Sequence, residues 1–339
     1  MSNQKITLNQ RTEIFAALGN RIDNITDHEF YELARRAQNE NNWFTEQSVK
    51  KAFKGIGHLL KKNSLQNWIE NYELEPITPK VVGVVMAGNI PAVGFHDLLS
   101  VVISGHHLAI KASSNDEVLL KWIVQELIEL EPALSSRITF EDRLNKVDAI
   151  IATGSDNSAR YFEYYFSKKP HIIRKNRTSC AILDGNESTE DIKNLGHDIF
   201  AYYGLGCRNV SKIYVPRNFD FIKFLDGLQS FEGVIDHHKY KNNYDYNKSI
   251  YLVNSEPHLD TGYLLLKESE DLVSPISVIY YEYFNNKKHL DELLNQNQEK
   301  IQCVVGNSAL ATVPFGDAQF PDIWDYADGV DTLSFLCSF

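Results

Sequence analysis

The sequence lacks long apolar runs and is poor in positive charge and in cysteine, and each of these properties excludes some classes of protein. It has no apolar run long enough to cross a bilayer, and its first residues, MSNQKITLNQR, lack the hydrophobic core of a secretory leader. Positive charge is also in deficit, because 45 acidic residues outnumber 34 lysines and arginines and give a net charge of −11. Nucleic-acid binding needs a positive surface and is therefore disfavoured. We expect a cytoplasmic protein with no integral membrane part.

Cysteine is scarce as well. The chain has four: Cys180, Cys207, Cys303 and Cys337. They follow no disulfide or zinc-binding spacing, which fits a reducing compartment. The histidine pairs at 106–107 and 237–238 have no companions at metal-ligand spacing, so we expect surface or packing roles for them and no metal.

From residue 80 the sequence alternates strand and helix patterns. The valine-rich run KVVGVVMAG is typical of a strand buried on both faces of a parallel sheet. The strand patterns HLAIKAS, RITFE and VDAIIATGS follow, with the amphipathic helix DEVLLKWIVQELIEL among them. Residues 1–80 are predicted to be mostly helical. This order predicts a doubly wound α/β sheet whose ligand crevice lies at the carboxyl ends of its strands.

A second, smaller α/β domain is predicted after residue 186. Its strand patterns are KIYVP, SIYLVN, GYLLLKE, ISVIYYEYF and KIQCVVG. We interpret the tyrosine-rich run HHKYKNNYDYNKSIY as a folded loop and strand rather than a base-stacking surface. The predicted domains are 1–183 and 184–316, with a tail over 317–339 that returns to the first domain.

The stretch YYGLGCRNVSKIYVP, residues 202–216, poses the clearest functional question. A dinucleotide-binding glycine loop must leave a strand and open a helix. Here a helical pattern precedes Gly204, a strand pattern follows Cys207, and Asn209 stands where the third glycine belongs. Cys207 is therefore the residue to explain. The glycines let backbone approach a substrate, and the charge of Arg208 would favour a thiolate, although an inert buried cysteine is the alternative.

Turns after three predicted strands hold polar residues suited to ligand binding: Asn89, Lys111, Ser113, Ser114, Gly154 and Ser155. An asparagine at a strand end is usually a turn residue, but its amide can also donate to a developing oxyanion. A lysine and hydroxyl-rich turns would suit phosphate and ribose groups. The basic run SKKPHIIRKNR is either a solvated face or a seat for the phosphates of a large anionic cofactor.

The order of these segments resembles the aldehyde dehydrogenase superfamily: an asparagine after a buried strand, then KASS, TGS and a glycine-flanked cysteine before a strand. The stretches EDLVSPISVIYYEY and VPFGD are similar to its Glu-x-Phe-Gly-Pro segment and its Pro-Phe-Gly turn. Within the superfamily, GNIPAVGFHDLL, KASSNDE, YYGLGCRNVSKIYVP and WDYADGVDTLSF resemble the long-chain acyl-CoA reductases, which include the fatty-acid reductase component of bacterial bioluminescence. The resemblance runs from about Trp43 to the C-terminus and is most specific around Cys207.

The resemblance implies the two-domain superfamily fold, with a dinucleotide-binding domain over 1–183 and a catalytic domain over 184–316. It implies that Cys207 is the nucleophile and Asn89 an oxyanion donor. The implied cofactor-binding residues are Lys111, Ser113, Ser114, Gly154, Ser155 and Asp271. Ser114 stands where NAD-preferring members tend to carry a glutamate, so NADP, as NADPH, is the expected cofactor.

One departure from the superfamily bears on the reaction. Its Glu-Leu-Gly-Gly segment, whose glutamate activates water, should fall near Ile173, yet HIIRKNRTSC has no carboxylate. Without that base a thioester on Cys207 would be hydrolysed slowly and would persist until hydride or a thiol attacks it. We therefore predict an acyl-CoA reductase that forms a fatty aldehyde, with CoA as leaving group and a homodimer or a partner acyl-transfer enzyme as the expected association. The alternatives are a CoA-acylating aldehyde dehydrogenase for short aldehydes and a non-catalytic acyl-binding subunit.

Overall fold

The computed structural model describes residues 6–338. Contacts between Cα atoms divide the chain into two units. The first runs to Asn176 and resumes at Pro321, and the second is Arg177–Phe320. The sequence placed these breaks at 183/184 and 316/317. The observed first break comes earlier because the strand over 178–182 pairs with strands of the second unit.

The helices predicted before residue 80 are α1 (Leu8–Asp23), α2 (Asp27–Glu40), α3 (Glu46–Leu59) and α4 (Lys62–Ile69). The first three begin at threonine caps. The hydroxyls of Thr7, Thr26 and Thr45 each accept a hydrogen bond from a backbone N–H of the first turn, which satisfies a donor that the helix leaves unpaired. The buried faces of these helices join the main apolar core of the first unit.

The first sheet consists of β1 (Val81–Val85), β2 (His107–Lys111), β3 (Ile138–Phe140), β4 (Ala149–Thr153) and β5 (His171–Arg174). Its connecting helices are α5 (Phe95–Ile103), α6 (Glu117–Leu130) and α7 (Asp156–Phe166). The strands are parallel and lie in the order β3-β2-β1-β4-β5. This order reverses between β1 and β4, so the predicted doubly wound sheet is confirmed.

The second sheet consists of β6 (Thr178–Ile182), β7 (Val210–Pro216), β8 (Leu259–Asp260), β9 (Leu265–Glu268), β10 (Val278–Phe284) and β11 (Ile301–Val305). Its helices are α8 (Thr189–Phe200), α9 (Phe221–Gly227), α10 (His238–Val253) and α11 (Lys287–Gln296). The strand order is β11-β6-β7-β10-β9-β8, and the pairs are parallel except for β8 with β9. Both units are therefore α/β, as predicted.

The predictions for the tyrosine-rich run and for the strand SIYLVN are wrong, because both stretches belong to helix α10. Its buried residues recur every three or four positions: Tyr240, Tyr244, Asn247 and Tyr251. One helix face is therefore covered, and Tyr244 and Tyr251 pack in one apolar cluster with Leu265 and Val278. Packing of that face outweighs the preference of tyrosine and isoleucine for strands.

The last helix, α12 (Thr332–Cys337), belongs to the first unit, where Leu333 and Leu336 are fully buried. A buried ion pair lies nearby. Arg174 Nη1 is 2.5 Å from Asp97 Oδ2, and Arg174 Nη2 donates to Thr332 Oγ1 at 2.9 Å. Side chains thus link β5, α5 and α12. Among the helices formed by residues 6–338, none combines the length and apolar character that a membrane span requires.

Candidate active site

The carboxyl edge of the first sheet carries most of the predicted ligand-binding residues. β1 and β4 are neighbours at the point where the strand order reverses, which is where open α/β sheets bind ligands. Six predicted residues follow or end β1, β2 and β4 at this edge: Asn89, Lys111, Ser113, Ser114, Gly154 and Ser155.

The turn after β1 packs closely on the turn after β2. A Cβ at Gly88 would stand 2.7 Å from Ser113 Oγ, so only glycine fits before Asn89. Asn41, just after α2, donates from Nδ2 to the Gly88 carbonyl oxygen at 3.2 Å. Asn89 itself is exposed. Glycine and the buried Asn41 therefore fix the backbone that presents the Asn89 amide.

Lys111 and Ser114 are exposed, and Ser113 is half-buried. Lys111 Nζ donates to the backbone oxygen of Asp142 at 2.9 Å. Ser113 Oγ accepts a hydrogen bond from the Asn115 N–H at 3.3 Å, which shapes the turn. This segment presents an ammonium group and hydroxyls, and Ser114 adds no charge to it.

Gly154 and Ser155 lie between β4 and α7. Ser155 Oγ accepts a hydrogen bond from the Ser158 N–H at 3.3 Å and caps the helix. Gly154 N donates to the Arg174 carbonyl oxygen at 3.4 Å. The first turn of a helix carries partial positive charge, so this junction suits a phosphate group.

Asp116 is a buried acid at the same edge, and no sequence motif marks it. It precedes α6 and is 1% exposed, yet neither carboxyl oxygen makes a hydrogen bond of ordinary geometry with residues 6–338. Burial raises the pKa of Asp116 to about 8, against the nearby backbone N–H groups of Ala92 and Val93, which favour the anion. A buried acid thus lies beneath the loop that carries Asn89.

In the second unit Cys207 follows a left-handed turn and lies just before β7. Tyr202, Tyr203 and Gly204 have φ angles of 50°, 58° and 81°. This region costs about 1–2 kcal/mol for each non-glycine residue, so the two tyrosines store strain that other contacts must offset. Strain of this kind is concentrated at functional sites. Cys207 itself is half-buried.

Asn209 holds this turn in shape. Its side chain is 2% exposed, and its Oδ1 accepts a hydrogen bond from the Gly206 N–H at 2.8 Å. Its Nδ2 donates to the carbonyl oxygens of residues 198, 199 and 201 at 2.9, 3.2 and 2.8 Å. One amide thus connects the end of α8 to the residue before Cys207.

A second buried contact fixes the backbone of Cys207. Ser179 on β6 is fully buried and donates from Oγ to the Cys207 carbonyl oxygen at 3.1 Å. The Cys303 N–H on β11 donates to the same Oγ at 3.2 Å. Ser179 therefore bridges two strands to the turn. No sequence motif marks a serine inside a strand, so Ser179 could not be singled out from the sequence.

The VPFGD turn lies against the same region. Asp198 is fully buried and accepts hydrogen bonds from the N–H groups of Gly316 and Ala318 at 2.7 and 3.1 Å. Arg208 Nε donates to the Ala318 carbonyl oxygen at 2.6 Å. The arginine that was expected to favour a thiolate is thus anchored to this segment beside Cys207.

The other cysteines have different surroundings. Cys180 and Cys303 are buried, and burial raises the pKa of the Cys180 thiol far above its ordinary value. Cys337 is exposed at the end of α12. All four cysteines fall within residues 6–338, and none of them forms a disulfide there. Cys207 combines partial exposure with a turn held by buried hydrogen bonds.

Asp271 belongs to the second unit, whereas the six residues described above belong to the first. It is exposed in the loop between β9 and β10. This loop packs on β7, since Lys212 Nζ donates to the Glu270 carbonyl oxygen and Ser211 Oγ to that of Leu272, both at 2.9 Å. Asp271 is therefore placed beside the strand that Cys207 precedes.

Comparisons with solved structures give one consistent fold. An NAD+ complex of an aldehyde dehydrogenase from Bacillus cereus is 13% identical, with a TM-score of 0.64 over 90% of this chain and 72% of that one. An aldehyde dehydrogenase from Physcomitrella patens is 11% identical, with a TM-score of 0.66 over 98% and 84%. An NADP-dependent enzyme from E. coli is 10% identical, with a TM-score of 0.66 over 92% and 78%. At these identities the likeness establishes the fold alone.

Sequence comparison gives the family. No curated protein matches the chain. A family model described as acyl-CoA reductase (LuxC) matches residues 9–222, which is more than half of the chain. The expected resemblance is therefore confirmed. This protein belongs to the acyl-CoA reductase (LuxC) family, has the aldehyde dehydrogenase fold, and is an oxidoreductase that acts on aldehyde or acyl groups.

Proposed function

We propose that the protein uses NADPH to reduce a long-chain acyl-CoA to the aldehyde, through a thioacyl intermediate on Cys207. The observation that carries this proposal is the turn at Cys207, where a half-buried thiol sits on backbone held by Asn209 and Ser179. A nucleophile must be both fixed and reachable, and the buried Cys180 and Cys303 fail the second condition. Family membership supports the acyl-CoA substrate class.

The first chemical step is acyl transfer. The Cys207 thiolate attacks the thioester carbonyl carbon, a carbon–sulfur bond forms, and the tetrahedral oxyanion collapses. The bond to CoA then breaks, and CoA leaves as a thiol after taking up one proton. On the resemblance, we assign stabilisation of the oxyanion to the Asn89 amide and the backbone N–H of Cys207. Loss of one such donor typically raises the barrier by about 2.7–4 kcal/mol.

On the resemblance, the fate of the thioacyl group depends on whether β5 carries a general base. Ile173 packs against an apolar cluster that includes Ile150 and Ala152, and Arg174 is paired with Asp97. β5 therefore offers no carboxylate where the resemblance places the water-activating glutamate of hydrolytic aldehyde dehydrogenases. Without a general base the thioacyl group persists until hydride reaches it. This favours a reductase over a hydrolytic dehydrogenase.

The residues at the edge of the first sheet fit a nicotinamide dinucleotide. Gly154 and Ser155, at the start of α7, suit the pyrophosphate, and Lys111 with Ser113 and Ser114 suits the adenosine ribose and its phosphate. When bound, the reduced cofactor supplies the hydride that converts the thioester to an aldehyde. Two solved relatives, an NAD+ complex and an NADP-dependent enzyme, support this cofactor class.

NADPH is favoured because Ser114 is neutral and Lys111 is cationic, so a 2′-phosphate meets no charge from residue 114. We assign the exposed Asp271 to a ribose hydroxyl on the resemblance. Under this proposal the first unit holds the cofactor and the second provides the nucleophile.

The test combines purified protein, NADPH and acyl-CoAs of increasing chain length, while nicotinamide absorbance and released CoA thiol are followed together. NADPH loss should equal CoA release, with the highest kcat/KM for long chains. Cys207→Ala should abolish both signals. Cys337→Ala removes an exposed thiol outside the turn and should leave both unchanged.

Each other outcome removes a defined part of the proposal. Thiol release without NADPH loss would leave acyl transfer and eliminate the reductase step. Full activity of Cys207→Ala would show that Cys207 is not the nucleophile. The lack of a base at β5 also suits a CoA-acylating aldehyde dehydrogenase, which would instead turn over short aldehydes with CoA and an oxidised nicotinamide.

A further inference from the structure

A carboxylate from α2 caps the first turn of α6. Glu40 Oε2 accepts hydrogen bonds from the backbone N–H groups of Glu117 and Val118 at 3.1 and 3.0 Å. The residue at the cap position, Asp116, makes no side-chain cap hydrogen bond, so Glu40 takes over this role from outside the helix. The start of α6, which would otherwise attract an anionic ligand, is already occupied by an anion of the protein.

Glu40 lies at the sheet edge that carries the candidate cofactor residues. α6 begins at Glu117, soon after Ser114 in the chain. Asn41, the next residue after Glu40, contacts the turn after β1: its Nδ2 donates to the Gly88 carbonyl oxygen at 3.2 Å. Glu40 is thus held on both sides, by the α6 backbone and by this turn. Glu40 is exposed, and its Oε1 makes no hydrogen bond with any other residue in the range 6–338.

The charge of Glu40 affects the buried acid Asp116. It contributes to the raised pKa of Asp116, after the larger effect of burial. The ammonium of Lys111 donates to the Asp142 backbone oxygen, and no ion pair between Lys111 and Glu40 occurs within residues 6–338. The Glu40 carboxylate is therefore exposed at the start of α6, and the residue it caps, Glu117, comes three positions after Ser114 in the chain.

We propose that Glu40 is a specificity-determining residue for the nucleotide, whose charge disfavours a 2′-phosphate and whose Oε1 accepts a hydrogen bond from a ribose hydroxyl. This inference rests on the proposed function, because it assumes that Lys111 and Ser114 face the adenosine ribose. An acidic residue that binds ribose hydroxyls repels a phosphate at the same position. Here residue 114 is neutral, and α2 supplies the acid instead. Glu40 thus moderates the preference for NADPH that Lys111 and Ser114 create.

The experiment compares binding of two adenine nucleotides, 2′,5′-ADP and 5′-AMP, by titration calorimetry of the whole protein. These probes differ by the 2′-phosphate and need no turnover. Glu40→Gln removes the charge and keeps an oxygen that can accept from α6. We expect it to increase the binding preference for 2′,5′-ADP over 5′-AMP by roughly tenfold, because one repulsive unit charge is lost close to the phosphate. The ratio of kcat/KM for NADPH and NADH should move the same way.

Two further variants separate charge from structure. Glu40→Asp keeps the charge and should keep the native binding ratio within about a factor of two. Glu32→Gln changes an exposed glutamate of the same helix, paired with Arg35 at 2.9 Å, and should change nothing. A native ratio in Glu40→Gln, with both nucleotides still bound, would overturn the role of Glu40 alone. Failure of native protein to bind either nucleotide would overturn this role and the cofactor part of the proposed function together.

Discussion

At the Cys207 turn, two tyrosines occupy the left-handed region, and the side chain of Asn209 makes four hydrogen bonds across the same few residues. All four hydrogen-bond partners of Asn209 are backbone groups, so its side chain holds the backbone of the turn directly. Replacing Asn209 should therefore release the strain by letting the turn change shape. The position of Cys207 would change with it.

We expect Asn209→Ala to slow CoA release from acyl-CoA by about 10²-fold, because a shift of about 1 Å in a reacting group has effects of that size. It should also destabilise the second unit by about 1–3 kcal/mol through unpaired buried carbonyl groups. Asn209→Asp retains the acceptor for Gly206 but loses three donor bonds, and should be the worse variant. Rapid-mixing assays of thiol release and circular dichroism measure the two effects.

The matched control is Asn243→Ala, which removes an α10 amide bonded to the Lys239 carbonyl oxygen. It should leave thiol release unchanged. Alkylation of Cys207, read by peptide mass spectrometry, should become faster in the Asn209 variants as the turn loosens. Native thiol release in Asn209→Ala would contradict a positioning role.

Asp116 predicts an unusual dependence of stability on pH. Burial raises its pKa to about 8 in the folded protein, so folding binds a proton between about pH 4 and pH 8. The contribution of Asp116 to the free energy of unfolding is greatest below its pKa in the unfolded chain. It is lost, at about 1.4 kcal/mol per pH unit, as the pH rises to its pKa in the folded protein. Asp116→Asn should remove this slope. The four tryptophans, Trp43, Trp68, Trp122 and Trp324, lie in the first unit, so fluorescence-detected urea unfolding reports on it.

The charge of Glu40 adds to the increase in the pKa of Asp116. Glu40→Gln should therefore reduce the slope only slightly. Equal pH dependence in native protein and Asp116→Asn would mean that Asp116 is ionised in the folded state at neutral pH.

Among the elements, β5, α5 and α12 depend on one another through Arg174. The Arg174–Asp97 pair is buried, with side chains 4% and 10% exposed, and Arg174 also donates to Thr332. Removing one member of such a pair leaves an uncompensated buried charge. Asp97→Ala should therefore destabilise the first unit by about 3–5 kcal/mol, measured by tryptophan fluorescence in urea.

The exposed Arg35–Glu32 pair provides the comparison, and Glu32→Gln should hardly change the same unfolding curve. A double change of Asp97 and Arg174 to apolar residues of similar size should recover part of the loss, because no buried charge is then left unpaired. A small effect of Asp97→Ala would mean that water reaches Arg174 in the folded protein.

For the whole molecule, the sequence could predict β1 to β4 of the first sheet and β7, β9, β10 and β11 of the second, because strands buried on both faces of a parallel sheet have continuous valine- and isoleucine-rich runs. It did not mark β5, β6 or β8. It failed at α10, where the spacing of Tyr240, Tyr244 and Tyr251 is helical but tyrosine and isoleucine favour strands. Cys207 could be chosen as a candidate because its glycine turn and neighbouring strand lie in one continuous segment.

The contacts that shape the candidate site were not predictable in the same way. Ser179 and Cys207 are 28 residues apart, and Glu40 and Glu117 are 77 apart. No local pattern connects such residues, because their meeting depends on how strands and helices are stacked. The candidate binding and reacting residues could be listed from the sequence, whereas the residues that hold them in place required the fold.

The interrupted path of the chain through the first unit has a consequence for biosynthesis. Residues 177–320 are contiguous, so every strand of the second sheet has been translated before the chain returns to the first unit at Pro321. The first unit still lacks Leu333 and Leu336, and the Leu336 carbonyl oxygen that lies 3.0 Å from His106 Nε2. On the ribosome residues 177–320 can therefore fold completely before α12 is made. Until α12 emerges, the N-terminal part of the first unit exposes to chaperones the apolar surface that Leu333 and Leu336 later cover.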